Sequence, residues 1–146
     1  MPGPDCFGEL RDTLRDQYAV PLPDGAPGPG FDADAARAAF LAFAGFVKGN
    51  LGGQTGLRVD PVWASQSNIL QGMGQIVLPD LILREEDAAS RLSELAATMG
   101  LSDPGLSLEA PQAPVGLAEI YDAEIEAAVR GAYQRDYMMF GWGAYA

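Results

Sequence analysis

The sequence predicts a mainly α-helical protein with one short strand, and three observations lead to this prediction. Apolar residues recur at helical spacing in several separate segments of the 146-residue chain. Glycines and prolines stand at the ends of those segments, where they commonly end helices. A short continuous apolar run, Leu81 to Leu83, stands directly before a helical segment and is typical of a buried strand. At this length we expect a single domain, residues 1–146.

Two helices and a connecting segment are predicted first. Helical spacing predicts a helix over residues 5–18, with the pattern set by Phe7, Leu10, Leu14 and Tyr18. Residues 20–30 contain four prolines and three glycines, a composition that predicts a surface linker. Asp32 or Asp34 is suited to cap a second helix, whose apolar face runs to Leu51 before GNLGG ends it.

Four elements are predicted in the middle of the chain, namely a third helix, a strand, a turn and a fourth helix. Asp60 followed by Pro61 is typical of an N-cap and a first helical position, and apolar residues continue to Met73. After the predicted strand, residues 85–87 are acidic and stand where negative charge stabilises a helix start. Gly100 is expected to end that helix.

The last part of the chain predicts an irregular connection and one long helix. Residues 102–116 hold three prolines and no periodic pattern, so we expect no regular element there. Apolar residues from Ile125 to Phe140 lie nearly on one side of a continuous helix. The aromatic residues near the chain end are expected to pack in a core or an interface rather than to form a ligand wall.

Charge and composition exclude several classes of protein. The formal net charge of −11 repels nucleic acids and anionic lipids, and Lys48 is the only lysine. One cysteine, Cys6, and no histidine exclude zinc fingers and Cys/His proteases. No apolar run reaches the roughly 20 residues that a membrane helix needs, and no export signal precedes Cys6. We therefore expect a cytoplasmic protein without nucleic-acid or membrane partners.

The sequence motifs for phosphate binding are absent or incomplete. Lys48 stands on a predicted helix and not in a GxxxxGK[ST] loop between a strand and a helix. The glycine pair Gly72 and Gly74 lacks the third glycine and the preceding strand of a dinucleotide-binding turn. Glu85, at the end of the predicted strand, is placed where open sheets present functional groups, but helix capping explains it more simply.

Three segments, in order, resemble the C-terminal half of the carbohydrate-type sulfotransferase family, particularly its bacterial members. Asp60, Pro61, Trp63 and Gln66 match an Asp-Pro-His-Trp-x-x-Gln-like stretch, with Val62 in the place of the histidine. Glu85 matches the glutamate that ends a strand in that family. The final segment matches Tyr-x-x-Asp-Tyr-x-x-Phe-Gly through Tyr133, Asp136, Tyr137, Phe140 and Gly141. The resemblance covers about residues 40–142.

The resemblance implies a fold and a chemistry. Such sulfotransferases are similar to P-loop kinases, so it implies that this chain is the C-terminal part of an α/β P-loop fold. It implies 3'-phosphoadenosine 5'-phosphosulfate (PAPS) as sulfuryl donor and a carbohydrate or another small hydroxyl compound as acceptor. The family's donor-binding loop precedes the matched region, and residues 1–39 contain no such loop. By the resemblance, the expected substrate-binding residues here are Trp63, Gln66, Arg84 and Glu85.

Three hypotheses about function follow. The first is a truncated sulfotransferase-family protein that binds no PAPS alone and contains no catalytic residue and no metal site. The second is a non-catalytic, acidic helical module that binds a missing N-terminal half or forms a homo-oligomer through apolar surface such as residues 81–83. The third and weakest is a carboxylate-based hydrolase that uses Glu85 and Glu86, since neighbouring residues rarely converge on one substrate.

Overall fold

The computed structural model describes residues 5–107 and 113–145, with side chains from residue 8 onward. These residues form seven α-helices and one 3-10 turn, Glu85–Asp87. The helices are α1 (Asp5–Tyr18), α2 (Ala33–Leu51), α3 (Gln66–Gly74), α4 (Ala88–Thr98), α5 (Leu117–Ile120), α6 (Ala123–Ala132) and α7 (Gln134–Phe140). Most of the predicted helices are therefore present.

The prediction of a strand, and with it of part of an α/β P-loop fold, is wrong for this chain. No strand occurs in residues 5–107 or 113–145, and Leu81 to Leu83 have no regular structure. A strand exists only when a neighbouring strand pairs with its backbone. No partner strand for residues 81–83 lies in the described part of the chain, so the apolar run stays unpaired.

The chain divides into two compact units. The first contains Met1–Gln71 and Ala113–Ala146, and the second contains Gly72–Gln112. Helix α2 is the centre of the first unit and packs against α5 and α6. In the second unit, the 3-10 turn packs against α4, and Gly100, with a φ of 70°, follows that helix. Gly100 therefore ends α4 as predicted.

The core of the first unit forms where α1, α2 and two irregular segments meet. Its buried members are Leu14, Val20, Phe46, Val47 and Trp63. Val20 is fully buried, and its amide donates to the carbonyl of Leu14, which ends α1 against the core. The segment 20–30 contains no helix or strand, but its first residue is thus core material rather than surface.

The start of α6 is tied to α2 by charged groups. Asp122 caps α6, since its Oδ1 accepts hydrogen bonds from the amides of Glu124 and Ile125 at 3.0 Å each. The Arg37 guanidinium on α2 donates to Asp122 Oδ2 at 2.6 and 2.8 Å and also to Glu124. The hydrogen bonds from the Ile125 amide and from Arg37 lower the pKa of Asp122. Asp122 and Glu124 therefore help to join α6 to α2.

The predicted final helix is broken, and the break directs two side chains. Tyr133 leaves helical geometry, with a φ of −110° and a ψ of 28°, and separates α6 from α7. A continuous helix would place Tyr133 and Asp136 on a single periodic face, as the spacing predicted. Tyr133 donates a hydrogen bond to the Trp63 carbonyl, and Asp136 accepts one from the Ser65 hydroxyl. These bonds stabilise the break, which local spacing does not indicate.

Candidate functional site around Trp63 and Asp136

The stretch from Asp60 to Trp63 is a turn and not the start of a helix. Asp60 Oδ1 accepts from the Val62 amide at 2.9 Å, and the Trp63 amide donates to the Asp60 carbonyl at 3.2 Å. Asp60 and Pro61 therefore form a turn of the kind in which aspartate bonds its own backbone two residues on. The predicted helix start at Pro61 is wrong, and α3 begins at Gln66.

Trp63 lies in the core of the first unit. Its ring meets Phe43 and Phe46 edge-on, with ring centroids 5.8 Å apart in both pairs. Its indole Nε1 donates to Asn50 Oδ1 at 2.8 Å, and Nδ2 of the same Asn50 side chain donates to the Leu57 carbonyl at 2.8 Å. Asn50 is buried and thus holds both the tryptophan and the loop that follows α2. This environment satisfies the polar tip of a buried tryptophan.

Asp136 of α7 caps the first turn of α3, about 70 residues earlier in the sequence. Its Oδ2 accepts from the Gln66 amide at 2.9 Å, and its Oδ1 accepts from the Ser67 amide at 3.1 Å and the Ser65 hydroxyl at 2.7 Å. Asp136, Ser65 and Ser67 are all buried. Free amides at a helix start attract a carboxylate, and here a distant helix supplies it.

The hydrogen bonds around Asp136 keep it ionised. Burial acts to raise the pKa of the Asp136 carboxyl, but the hydroxyls of Ser67 and Ser65 and the amides of Ser67 and Gln66 favour the charged form. Their combined effect lowers the pKa of Asp136. A general acid or base would need a pKa nearer neutrality, so this carboxylate is equipped for structure rather than for proton transfer.

Tyr133 completes the connection between the chain end and Trp63. Its hydroxyl donates to the Trp63 carbonyl at 2.9 Å. Burial, and then the charge of Asp136, raise the pKa of Tyr133, so the phenol stays protonated and remains a donor. We call the group formed by Asn50, Trp63, Ser65, Tyr133 and Asp136 the Trp63–Asp136 cluster.

A second polar cluster lies near the chain end. The Tyr121 hydroxyl donates to Glu126 Oε2 at 2.8 Å, and Arg130 donates to Glu126 Oε1 at 3.1 Å while lying 4.5 Å from the centre of the Tyr137 ring. Burial first, and then the bond to Glu126, raise the pKa of Tyr121, whereas the Tyr121 hydroxyl helps to lower the pKa of Glu126. Neither group is poised for acid–base chemistry near neutral pH.

The predicted site residues divide between the two units. Trp63 is buried in the first unit, and Gln66 beside it is exposed at the start of α3. Arg84 and Glu85 are exposed in the second unit, where Arg84 lies 3.8 Å from Glu86 and Glu85 begins the 3-10 turn. Substrate binding by these four residues stays a prediction.

Pattern reasoning missed Asn50, Ser65 and Ser67. These side chains bond to residues that are distant in the sequence or to backbone groups outside the periodic pattern. Spacing therefore does not indicate their roles, and their residue types are the only signal. Two serines directly before and inside a helix start are a recognised capping signal. The Asp-Pro pair nearby drew the prediction away from them.

Most of the arginine side chains lie close to carboxylates. Within residues 8–107 and 113–145, Arg11, Arg15, Arg37, Arg84, Arg91 and Arg130 each have a carboxylate within 4.0 Å. No group of three or more metal-ligating side chains occurs in the described residues. The charges of these six arginines are therefore partly balanced by neighbouring carboxylates.

Comparisons with known proteins give no relative. No protein-family model, no curated protein and no solved structure matches the chain. As for membranes, none of the helices in residues 5–107 and 113–145 has the length and apolar character needed to span a bilayer.

Proposed function

We propose that this chain is the helical, C-terminal part of a PAPS-dependent sulfotransferase and is inactive alone. The complete enzyme would transfer a sulfuryl group from PAPS to a hydroxyl of a carbohydrate or another acceptor. The residues that hold the donor would lie outside residues 1–146. One observation carries the proposal, namely that two of the segments resembling the family meet in the Trp63–Asp136 cluster.

The contacts in that cluster involve the motif residues themselves. Asp136 and Tyr133 come from the Tyr-x-x-Asp-Tyr segment, and they bond to the backbone of Trp63 and Gln66 in the Asp-Pro-x-Trp-x-x-Gln segment. Short motifs that match a family by chance have no reason to bond to each other across 70 residues. Their meeting supports a shared structural role for both motifs, as expected in a related protein.

The charge distribution supports a donor-binding site outside this chain rather than an independent enzyme. Sulfuryl transfer, like phosphoryl transfer, needs positive charge around the oxygens of the donor. The chain carries a net charge of −11, and six of its arginines already face carboxylates. A donor with several negative charges would be repelled at most of this surface.

Calorimetric titration with adenosine 3',5'-bisphosphate, the desulfated product of PAPS, tests the proposal. We expect no heat of binding from this chain alone. We expect binding by the chain combined with the proposed upstream half, which would carry a strand, a lysine-containing loop and a helix. Binding to this chain alone would contradict a donor site elsewhere, and no binding by the combined polypeptides would contradict the sulfotransferase assignment.

A second candidate function, assembly through an apolar surface, rests on a separate observation. In the second unit, residues 75–84 have no helix or strand and expose large apolar side chains. Ile76, Val77 and Leu78 are 87%, 68% and 76% exposed. A contiguous apolar stretch in water is unfavourable and commonly marks an interface. We infer that a second copy of this chain covers residues 76–78.

Sedimentation equilibrium at micromolar concentration tests the assembly. We expect a dimer for the unaltered chain and a monomer for Leu78→Asp, because a buried unpaired charge disfavours an apolar interface. Val62→Asp is the matched control, since Val62 is 82% exposed in the first unit and lies outside the proposed surface. A compact monomer for the unaltered chain would contradict the assembly.

A further inference from the structure

An apolar groove of about 430 Å³ lies in the first unit between α2 and the segment 20–31. Its walls include Leu22, Pro27, Ala39, Phe43 and Ile120. Its volume falls in the range of sites that hold small organic molecules, roughly 300–1,000 Å³. The Trp63–Asp136 cluster contributes no residue to this groove.

The chemistry of the wall is almost uniform. All but one of its residues are leucine, isoleucine, valine, phenylalanine, alanine, proline or glycine, and the exception is Arg11 of α1. Among the described residues that line the groove, none carries a carboxylate. A sugar or a nucleotide would lose its hydrogen bonds to water there without replacements, whereas an alkyl chain would gain by burial.

Arg11 is the charged residue that lines the groove among the described residues, and its side chain is 33% exposed. Its Nε has no accessible surface and no hydrogen-bond partner within the described residues, so an acceptor in the groove would have to bond to the terminal nitrogens of the guanidinium. The carboxylate of Asp12 lies 3.9 Å from Nε, which is beyond hydrogen-bond distance, so it holds the guanidinium only weakly.

We propose that this groove binds a medium-chain alkyl carboxylate. The alkyl chain lies along Phe43 and Ala39, and a carboxylate oxygen accepts a hydrogen bond from a terminal nitrogen of the Arg11 guanidinium. The apolar wall selects the chain, and the lone guanidinium selects an anionic head group over a neutral or cationic one. The whole chain is strongly acidic, so its long-range field does not attract an anionic ligand. The attraction of the carboxylate therefore depends on its direct contact with Arg11.

This inference does not depend on the sulfotransferase proposal. It would hold for an isolated binding protein, and it concerns neither PAPS nor the acceptor hydroxyl. Failure of adenosine 3',5'-bisphosphate binding therefore leaves it unaffected, and its own failure leaves the sulfotransferase proposal unaffected.

Calorimetry with three ligands of equal chain length tests the site. The ligands are dodecanoate, dodecanol and dodecyltrimethylammonium, each below its micelle concentration. We expect dodecanoate to bind most tightly, dodecanol more weakly and the cation not at all. Arg11→Met should weaken dodecanoate binding by about tenfold, the loss expected for one charge-assisted hydrogen bond, and leave dodecanol binding unchanged.

Two further variants control for charge and for space. Arg91→Met removes the same charge from the second unit, at a residue outside the groove, and should leave dodecanoate binding unchanged. Ala39→Leu fills the groove and should weaken dodecanoate and dodecanol alike, with circular dichroism verifying the fold. Equal losses in Arg11→Met and Arg91→Met, equal binding of anion and cation, or no binding by the folded unaltered chain would overturn the proposal.

Discussion

Asp136→Asn is expected to lower the free energy of unfolding by about 3 kcal/mol, because it replaces a charged acceptor of several buried hydrogen bonds. The asparagine keeps the size of the side chain but has only one carbonyl oxygen for the Gln66 amide, the Ser67 amide and the Ser65 hydroxyl. Its NH2 group would face an amide donor. Urea unfolding followed by far-ultraviolet circular dichroism measures the change.

The same carboxylate gives stability a defined dependence on pH. The pKa of Asp136 is lowered on folding, so its stabilisation is fully present above the unfolded value near 3.8. That stabilisation is lost as the pH falls from the unfolded value through the folded value, because over this range the unfolded chain takes up a proton that the native carboxylate does not yet bind. The unaltered chain should therefore lose stability more steeply than Asp136→Asn below about pH 4.

Asp16→Asn is the matched control for both measurements. Asp16 is exposed on α1 and pairs with Arg15, and an ion pair at the surface contributes little to stability. We expect nearly unchanged unfolding for this variant. If Asp136→Asn were equally well tolerated, the capping of α3 by α7 would be energetically unimportant, and the case for a shared structural role of the two motifs would fail.

Trp63→Ala is expected to destabilise the first unit by about 3–5 kcal/mol, the usual range for removing a large aromatic side chain from a core. The substitution removes the edge-on contacts with Phe43 and Phe46 and leaves Asn50 Oδ1 without its donor. For many domains, a loss of this size is a large fraction of the total stability. Thermal and urea unfolding both report it.

Trp63→Phe separates packing from the hydrogen bond. It retains most of the ring contact but removes the indole donor to Asn50, and we expect a loss of about 1–2 kcal/mol. Trp142→Phe is the matched control, because Trp142 stacks on Phe140 and lies outside the buried core of the first unit. A small effect of Trp63→Ala would contradict a core role and return Trp63 to the predicted substrate-binding residues.

Local patterns predicted the helices well where one face of each helix is apolar and the cap is a neighbour. The spacing of Leu10 and Leu14 predicted α1, Asp32 caps α2 through the Ala35 amide, and Gly100 follows α4. These features depend on residues within a turn or two, which is the range over which backbone propensity and capping act.

The sequence by itself thus determined the approximate bounds of α1, α2 and α4, the acidic surface and the absence of histidine chemistry. Only the tertiary structure decided that α3 begins at Gln66, that the last helix breaks at Tyr133 and that residues 81–83 form no strand. The first two depend on bonds between residues about 70 positions apart, and the third depends on a strand partner that the described residues do not provide. A hydrogen bond needs both of its groups, and spacing along the chain identifies only one of them.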